Sequence, residues 1–128
     1  MKVPFGELGR EVCDLGDSIP QAIQRVVDSG WFILGPEVKT FEEDFASWLN
    51  VSHVVGVASG TEAIALALKG LGVGEGDEVI TVANTCVPTA AGIAATGAQV
   101  RLADCEHDTL MISPESVEAA VTERTRAI

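Results

Sequence analysis

The chain has 128 residues, 47% of them apolar, with four Phe, two Trp and no Tyr, which suits a core of small aliphatic side chains between helices and a buried sheet and excludes a disordered polymer. Nineteen acidic side chains against eight basic ones give a formal charge of −11, a field that repels nucleic acid and anionic lipid. Three scattered cysteines, Cys13, Cys86 and Cys105, never form a C-x-x-C pair, so neither a disulfide framework nor a cysteine zinc site is indicated.

Residues 1–16 read as an extended arm, with Pro4, Gly6, Gly9 and Gly16 against helix. Asp17 or Ser18 can cap the next segment and Pro20 suits a first turn. Ala22, Ile23, Val26 and Val27 then form one apolar face before Gly30 closes it. Residues 1–30 are therefore expected to be an arm followed by an amphipathic helix. The amino terminus lacks the apolar centre of a signal peptide, and no run approaches the length of a membrane span. Together with the cysteine usage, this predicts a soluble, cytoplasmic protein.

Trp31-Phe32-Ile33-Leu34-Gly35-Pro36 is the most apolar loop. It either packs locally or forms a subunit contact or the wall of a site. From Pro36 onward, Val38, Phe41, Phe45 and Trp48 or Leu49 recur at helical spacing with Glu42, Glu43 and Asp44 outward, which predicts a helix whose aromatic face is core.

The stretch VVGVASGTEAIALALKGL, residues 54–71, predicts an apolar strand over 54–58 that turns at Ser59-Gly60-Thr61 directly into an alanine-rich helix ending at Gly70. Ser59 and Glu62 fit the S-x-x-E capping box, in which the serine oxygen accepts the N–H three residues on and the glutamate reaches back. At such a helix start the first N–H groups lack intrahelical partners and the macrodipole is positive, so a phosphate can be held without a lysine cluster. A plain capped connection in an α/β domain accounts for the same residues.

Beyond a glycine-rich turn at 72–77, residues 78–82 predict a second strand, Asn84 to Thr89 open another small-residue helix ending at Gly97, and 99–103 form a third strand before Asp104. Ser113-Pro114-Glu115 starts one more helix, to about Thr122, and 126–128 begin a fourth strand. This alternation predicts a parallel sheet with right-handed crossovers, with ligands collecting at the carboxyl ends of the strands. The turns after Ala58, Val82 and Ala103 share that rim and offer a phosphate seat, small polar groups and a carboxylate. Neither G-x-x-x-x-G-K-[ST] nor G-x-G-x-x-G occurs there, which argues against a P-loop or dinucleotide fold.

The ordered segments GWFILGPEVKTFEEDFASWL, VVGVASGTEAIALAL, GVGEGDEVITVANTCVPTAAGI and TGAQVRLADCEHDTLMISPESVEAAVTERTRAI resemble the amino-terminal part of the DegT/StrS-type nucleotide-sugar aminotransferases over nearly the whole chain. The resemblance implies a dimeric fold-type-I enzyme that uses pyridoxal 5'-phosphate, with glutamate as amino donor, on a keto-sugar nucleotide. It further implies that 31–128 are the first part of the cofactor-binding large domain, an α/β arrangement of parallel βαβ units with an incomplete sheet. Ser59, Gly60 and Thr61 would then hold the cofactor phosphate. Cys86 falls where an aromatic residue commonly stacks on the pyridine ring, and its sulfur offers a smaller, polarizable contact. Trp31 and Phe32 would lie near the subunit interface and the sugar.

Transamination needs a Schiff-base lysine and a carboxylate on the pyridine nitrogen. The lysines here are Lys2, Lys39 and Lys69; Lys69, about ten residues into its helix, and Lys39, on a charged helix face, read as ordinary solvated side chains. The resemblance places both catalytic groups in segments beyond Ile128, and Asp104 reads as a turn-forming acid. It also places later strands between 54–58 and 78–82, leaving 54–58 without sheet neighbours. The expectation is a fragment that is marginally folded, prone to associate and inert alone. A sugar dehydratase of the same fold, a non-catalytic phosphate-binding or regulatory module, and a purely structural fragment remain as alternatives.

Overall fold

A computed structural model describes residues 4–128. The chain divides into two compact units, one ending at Gly56 and one beginning at Val57.

The first unit holds three helices, α1 (Leu8–Leu15), α2 (Ser18–Ser29) and α3 (Pro36–Leu49). The expected extended arm is corrected by α1. Leu8, Val12 and Leu15 recur on one helical face, and Gly9 sits in the first turn, where its cost is small compared with a mid-helix glycine. The stop comes at Gly16, whose combination of φ +55° and ψ −130° suits only a residue without a β-carbon. Residues 1–3 lie outside the described residues. The expected cap of α2 is also corrected: neither Asp17 nor Ser18 caps it, because Asp17 already has helical angles and the Ser18 hydroxyl donates to the Leu15 carbonyl at 2.7 Å. Gly30 ends α2 with φ +64°, as read from the sequence. On α3 the rings of Phe41, Phe45 and Trp48 stack in series with centroids 5.5 Å apart. That face is exposed within the chain rather than core, Trp48 being 76% accessible.

The second unit runs α4 (Gly60–Gly70), β1 (Glu78–Val82), α5 (Val87–Ala94), β2 (Gln99–Ala103), α6 (Pro114–Ala120) and β3 (Thr125–Ala127). The three strands form a parallel sheet in the order β2-β1-β3. Glu78 pairs with Gln99 and Val82 with Ala103, so β1 and β2 end level with each other. Among the described residues no ladder forms over 54–58, which corrects the strand expected there: an apolar run becomes a strand only beside a partner, and this one has none among them. Leu68 of α4, Val73, Val79 of β1, Ile93 of α5 and Ala98 form the core, with Ile64, Val100 and Ala127 packed against it. Small side chains let α4 and α5 lie close together over the sheet.

No helix among the described residues is long and apolar enough to cross a membrane. Among the same residues, no group of three or more His, Cys, Asp and Glu is placed to hold a metal ion.

Candidate functional site

The turn before α4 is built as its residue types require. Ser59 is extended (φ −160°, ψ 161°), and its hydroxyl oxygen accepts the Glu62 N–H at 3.2 Å while its carbonyl accepts from Ala63 at 2.9 Å. The Glu62 carboxylate reaches back one residue further than a standard capping box, accepting from the Ala58 N–H at 3.2 Å. Two backbone N–H groups are thus oriented by two side chains. Gly60 and Thr61 occupy the first two helical positions, where an α-helix supplies no internal acceptor for the N–H. A β-carbon built on Gly60 would meet nothing within 4 Å, so the helix start is open to an approaching group. Donors at an open, positive helix end are the chemistry that an anionic phosphate ester requires.

Cys86 is the residue before α5, exposed and extended. Its sulfur lies 3.9 Å from the Thr89 hydroxyl, which in turn shares a 2.8 Å hydrogen bond with Thr85. The turn 83–86 is braced from the other side, since the Asn84 side-chain amide donates to the Leu110 carbonyl at 3.1 Å. Leu110 belongs to an excursion closed by an antiparallel bridge between Cys105 and Ile112 and by Glu106 donating to Met111 at 2.8 Å. It adopts φ +57°, an uncommon conformation for a branched residue. Asp104 is spent within this turn: its carboxylate accepts the Cys105 N–H at 2.8 Å, and its own N–H donates to the Ser116 hydroxyl at 2.8 Å.

Ser59, Gly60, Thr61 and Cys86 therefore lie in one unit, at the starts of two helices that pack side by side. Trp31 and Phe32 lie in the other. There the Trp31 indole donates to the Ile33 carbonyl at 2.7 Å, and both rings remain exposed, at 59% and 68%. Gly35 closes this loop; a β-carbon there would fall 2.7 Å from the Trp31 carbonyl oxygen. Beside the loop, Arg25 and Glu37 form a two-pronged ion pair at 2.7 and 3.0 Å. Hydrogen bonding to Glu37 raises the Arg25 guanidinium above its ordinary value, and hydrogen bonding to Arg25 lowers the Glu37 carboxyl below its own. Lys69 sits at the opposite end of α4 from Gly60, and Lys39 pairs with Glu43 at 3.7 Å on α3.

One group escaped the sequence reading. Glu78 is fully buried in β1, and its carboxylate accepts from the Thr122 hydroxyl at 2.7 Å and from Arg124 at 2.5 Å, with Arg101 at 3.6 Å. It lies at the amino end of the strand, away from the rim. An acid beside Val79 and Ile80 carries no local sign of burial, because its partners come from 23 to 46 residues later.

The second unit is thus a parallel α/β arrangement with a side-chain-capped, open helix start at Gly60. The chain belongs to the DegT/DnrJ/EryC1/StrS aminotransferase family, which it matches over residues 14–128. It is 42% identical over 127 residues to dTDP-3-amino-3,4,6-trideoxy-alpha-D-glucose transaminase of Streptomyces venezuelae, covering 99% of this chain and 34% of that relative. The crystal structure of S. venezuelae DesV superposes with a TM-score of 0.93 at 42% identity, over 98% of this chain and 34% of that one. The Bacillus subtilis protein ntda, solved with bound cofactor PMP, gives a TM-score of 0.89 at 33% identity, over 98% and 29%. The chain thus spans about a third of the length of the relatives it matches.

Proposed function

We propose that this chain supplies the phosphate-binding part of a pyridoxal 5'-phosphate site in an aminotransferase acting on a keto-sugar nucleotide, with glutamate as amino donor and a homodimer as the working form. The observation that carries this is the open start of α4, where Ser59 and Glu62 fix the turn and leave the Gly60 and Thr61 N–H groups facing outward. The donor set fits the cofactor's phosphate. Gly60 and Thr61 would hold it through backbone N–H groups and the Thr61 hydroxyl, while Ser59, whose oxygen is engaged by Glu62, orients the turn. When bound, the cofactor supplies an electron sink for bonds at the amino-bearing carbon.

Cys86 would border the ring with a polarizable sulfur in place of a stacked aromatic, a weaker hold that shifts affinity onto the phosphate end. Trp31 and Phe32, exposed and apolar, would meet substrate or a partner subunit. Residues 31–128 would belong to the first part of the large domain. Lys69, about 14 Å along α4 from Gly60, lies too far along the helix to act as the Schiff-base group at that turn, and Lys39 on α3 is paired with Glu43.

The test is a fluorescence titration with pyridoxal phosphate, competed by inorganic phosphate and followed by borohydride reduction and peptide mapping. The expected result is reversible binding that phosphate displaces and Thr61→Val weakens, with no single lysine fixed by reduction. Binding that neither phosphate nor Thr61→Val affects would overturn the phosphate seat. An adduct on one defined lysine would overturn the assignment of both lysines.

A further inference from the structure

We infer that Gly92 is a positioning residue for this cofactor site: its missing β-carbon sets the separation between the turn that takes the phosphate and the start of α5 that carries Cys86. The inference rests on the cofactor reading above and adds a residue that makes no contact with the ligand itself.

Gly92 is buried in the second half of α5, among Ala90, Ala91 and Ala94. Glycine in a helix interior is less favourable than alanine, so its presence in an alanine-rich helix needs a reason. Backbone conformation does not provide one, because Gly92 is absent from the glycines with positive φ. Packing does. A β-carbon at Gly92 would stand 2.8 Å from the Thr61 carbonyl oxygen and 3.1 and 3.2 Å from Cβ and Cγ2 of Ile64. None of these atoms can swing aside. The first belongs to the helix backbone and the others to the root of a β-branched side chain. Any side chain at this position must therefore push the first turn of α4 away from α5.

That turn is the phosphate seat, and α5 is the element that carries Cys86, six residues before Gly92 and about 9 Å along the helix axis. Phosphate and ring are joined covalently in pyridoxal phosphate, so a ligand touching both sites is sensitive to their separation. Inorganic phosphate touches only one. A wedge at Gly92 thus discriminates between the two ligands, whereas a loss of folding does not.

The experiment titrates the wild-type chain, Gly92→Ala and Gly92→Val with each ligand by phosphorus NMR, with far-UV circular dichroism and amide exchange in β1 as folding controls. Pyridoxal phosphate is expected to bind about tenfold more weakly to Gly92→Val, with Gly92→Ala intermediate, as overpacking against a rigid backbone predicts. Inorganic phosphate affinity stays at the wild-type value in both. Equal pyridoxal phosphate affinity in all three proteins would overturn the inference, as would phosphate affinity falling in step with it. Should Gly92→Val not fold, Gly92→Ala carries the same comparison. A wild-type chain that binds phosphate no more weakly than pyridoxal phosphate sinks the spacing argument and leaves the phosphate seat standing. A wild-type chain that binds neither removes the cofactor reading and this inference together.

Discussion

Replacing Glu78 with alanine should destabilise the sheet unit severely, by an amount the structure allows one to work out. The carboxylate is fully buried and accepts from Thr122 and Arg124, with Arg101 3.6 Å away. A hydrogen bond to a charged group contributes about 1.5–3 kcal/mol, and removing one partner of a fully buried pair costs about 3–5 kcal/mol. Here the two guanidinium groups are 59% and 43% accessible, so both recover water when the acid is lost, and the lower end of that range applies. The expected loss is about 3 kcal/mol, large against the roughly 4–11 kcal/mol that a unit of 72 residues would be expected to hold. Glu78→Gln keeps an acceptor for Thr122 but loses the charge, and should cost about half as much. Tryptophan fluorescence cannot follow this, because Trp31 and Trp48 both lie in the other unit. Amide exchange in β1, β2 and β3 can, with the alanine variant expected to exchange fastest. Wild-type protection of β1 in Glu78→Ala would refute the claim that this acid ties the three strands together.

Other substitutions separate the remaining contacts. Ser59→Ala removes the α4 cap and should cost about 1 kcal/mol, seen as faster exchange of the Glu62 amide; unchanged exchange would mean the cap contributes nothing. Asn84→Ala frees the Leu110 carbonyl, and exchange should rise across 105–112 while β1 keeps its protection. A uniform rise would show that the contact is not local. The Arg25–Glu37 pair predicts a pH dependence of known sign. The Glu37 carboxyl is held below its ordinary value, so its stabilising effect is complete above the usual carboxylate range and is lost as pH falls through the lowered value. Arg25→Ala should flatten that acid limb in thermal melts of the helical unit, and high salt should do the same because the pair is exposed.

The parts of the fold that were legible in the sequence are those set by short-range chemistry. Ser59 and Glu62 announce the α4 start at a spacing of three, and the alternating strands and helices from Glu78 onward follow from residue type and turn composition. Failures occur where two local signals compete or where the outcome depends on distant residues. Gly6, Gly9 and Gly16 suggested an extended arm, yet the apolar spacing of Leu8, Val12 and Leu15 outweighs one glycine in a first turn. Residues 54–58 have strand composition and no neighbour to pair with. Within the site, Gly60, Thr61 and Cys86 could be located because turns and helix starts are local features. Glu78 and Gly92 could not, since their partners Arg124 and Thr61 lie 46 and 31 residues away.

The unpaired run 54–58 carries a safeguard in its own hydrogen bonds. The Gly56 N–H donates to the Glu42 carboxylate at 2.7 Å, and the Ala58 N–H donates to that of Glu62 at 3.2 Å. Free N–H groups on an unpaired apolar run are among the donors a foreign strand uses for docking. Here both are already occupied, and by a group carrying the same sign of charge as most of the acidic surface. An aggregating neighbour must first displace two anions from their donors, and Glu42→Ala combined with Glu62→Ala would turn a guarded backbone into an adhesive one.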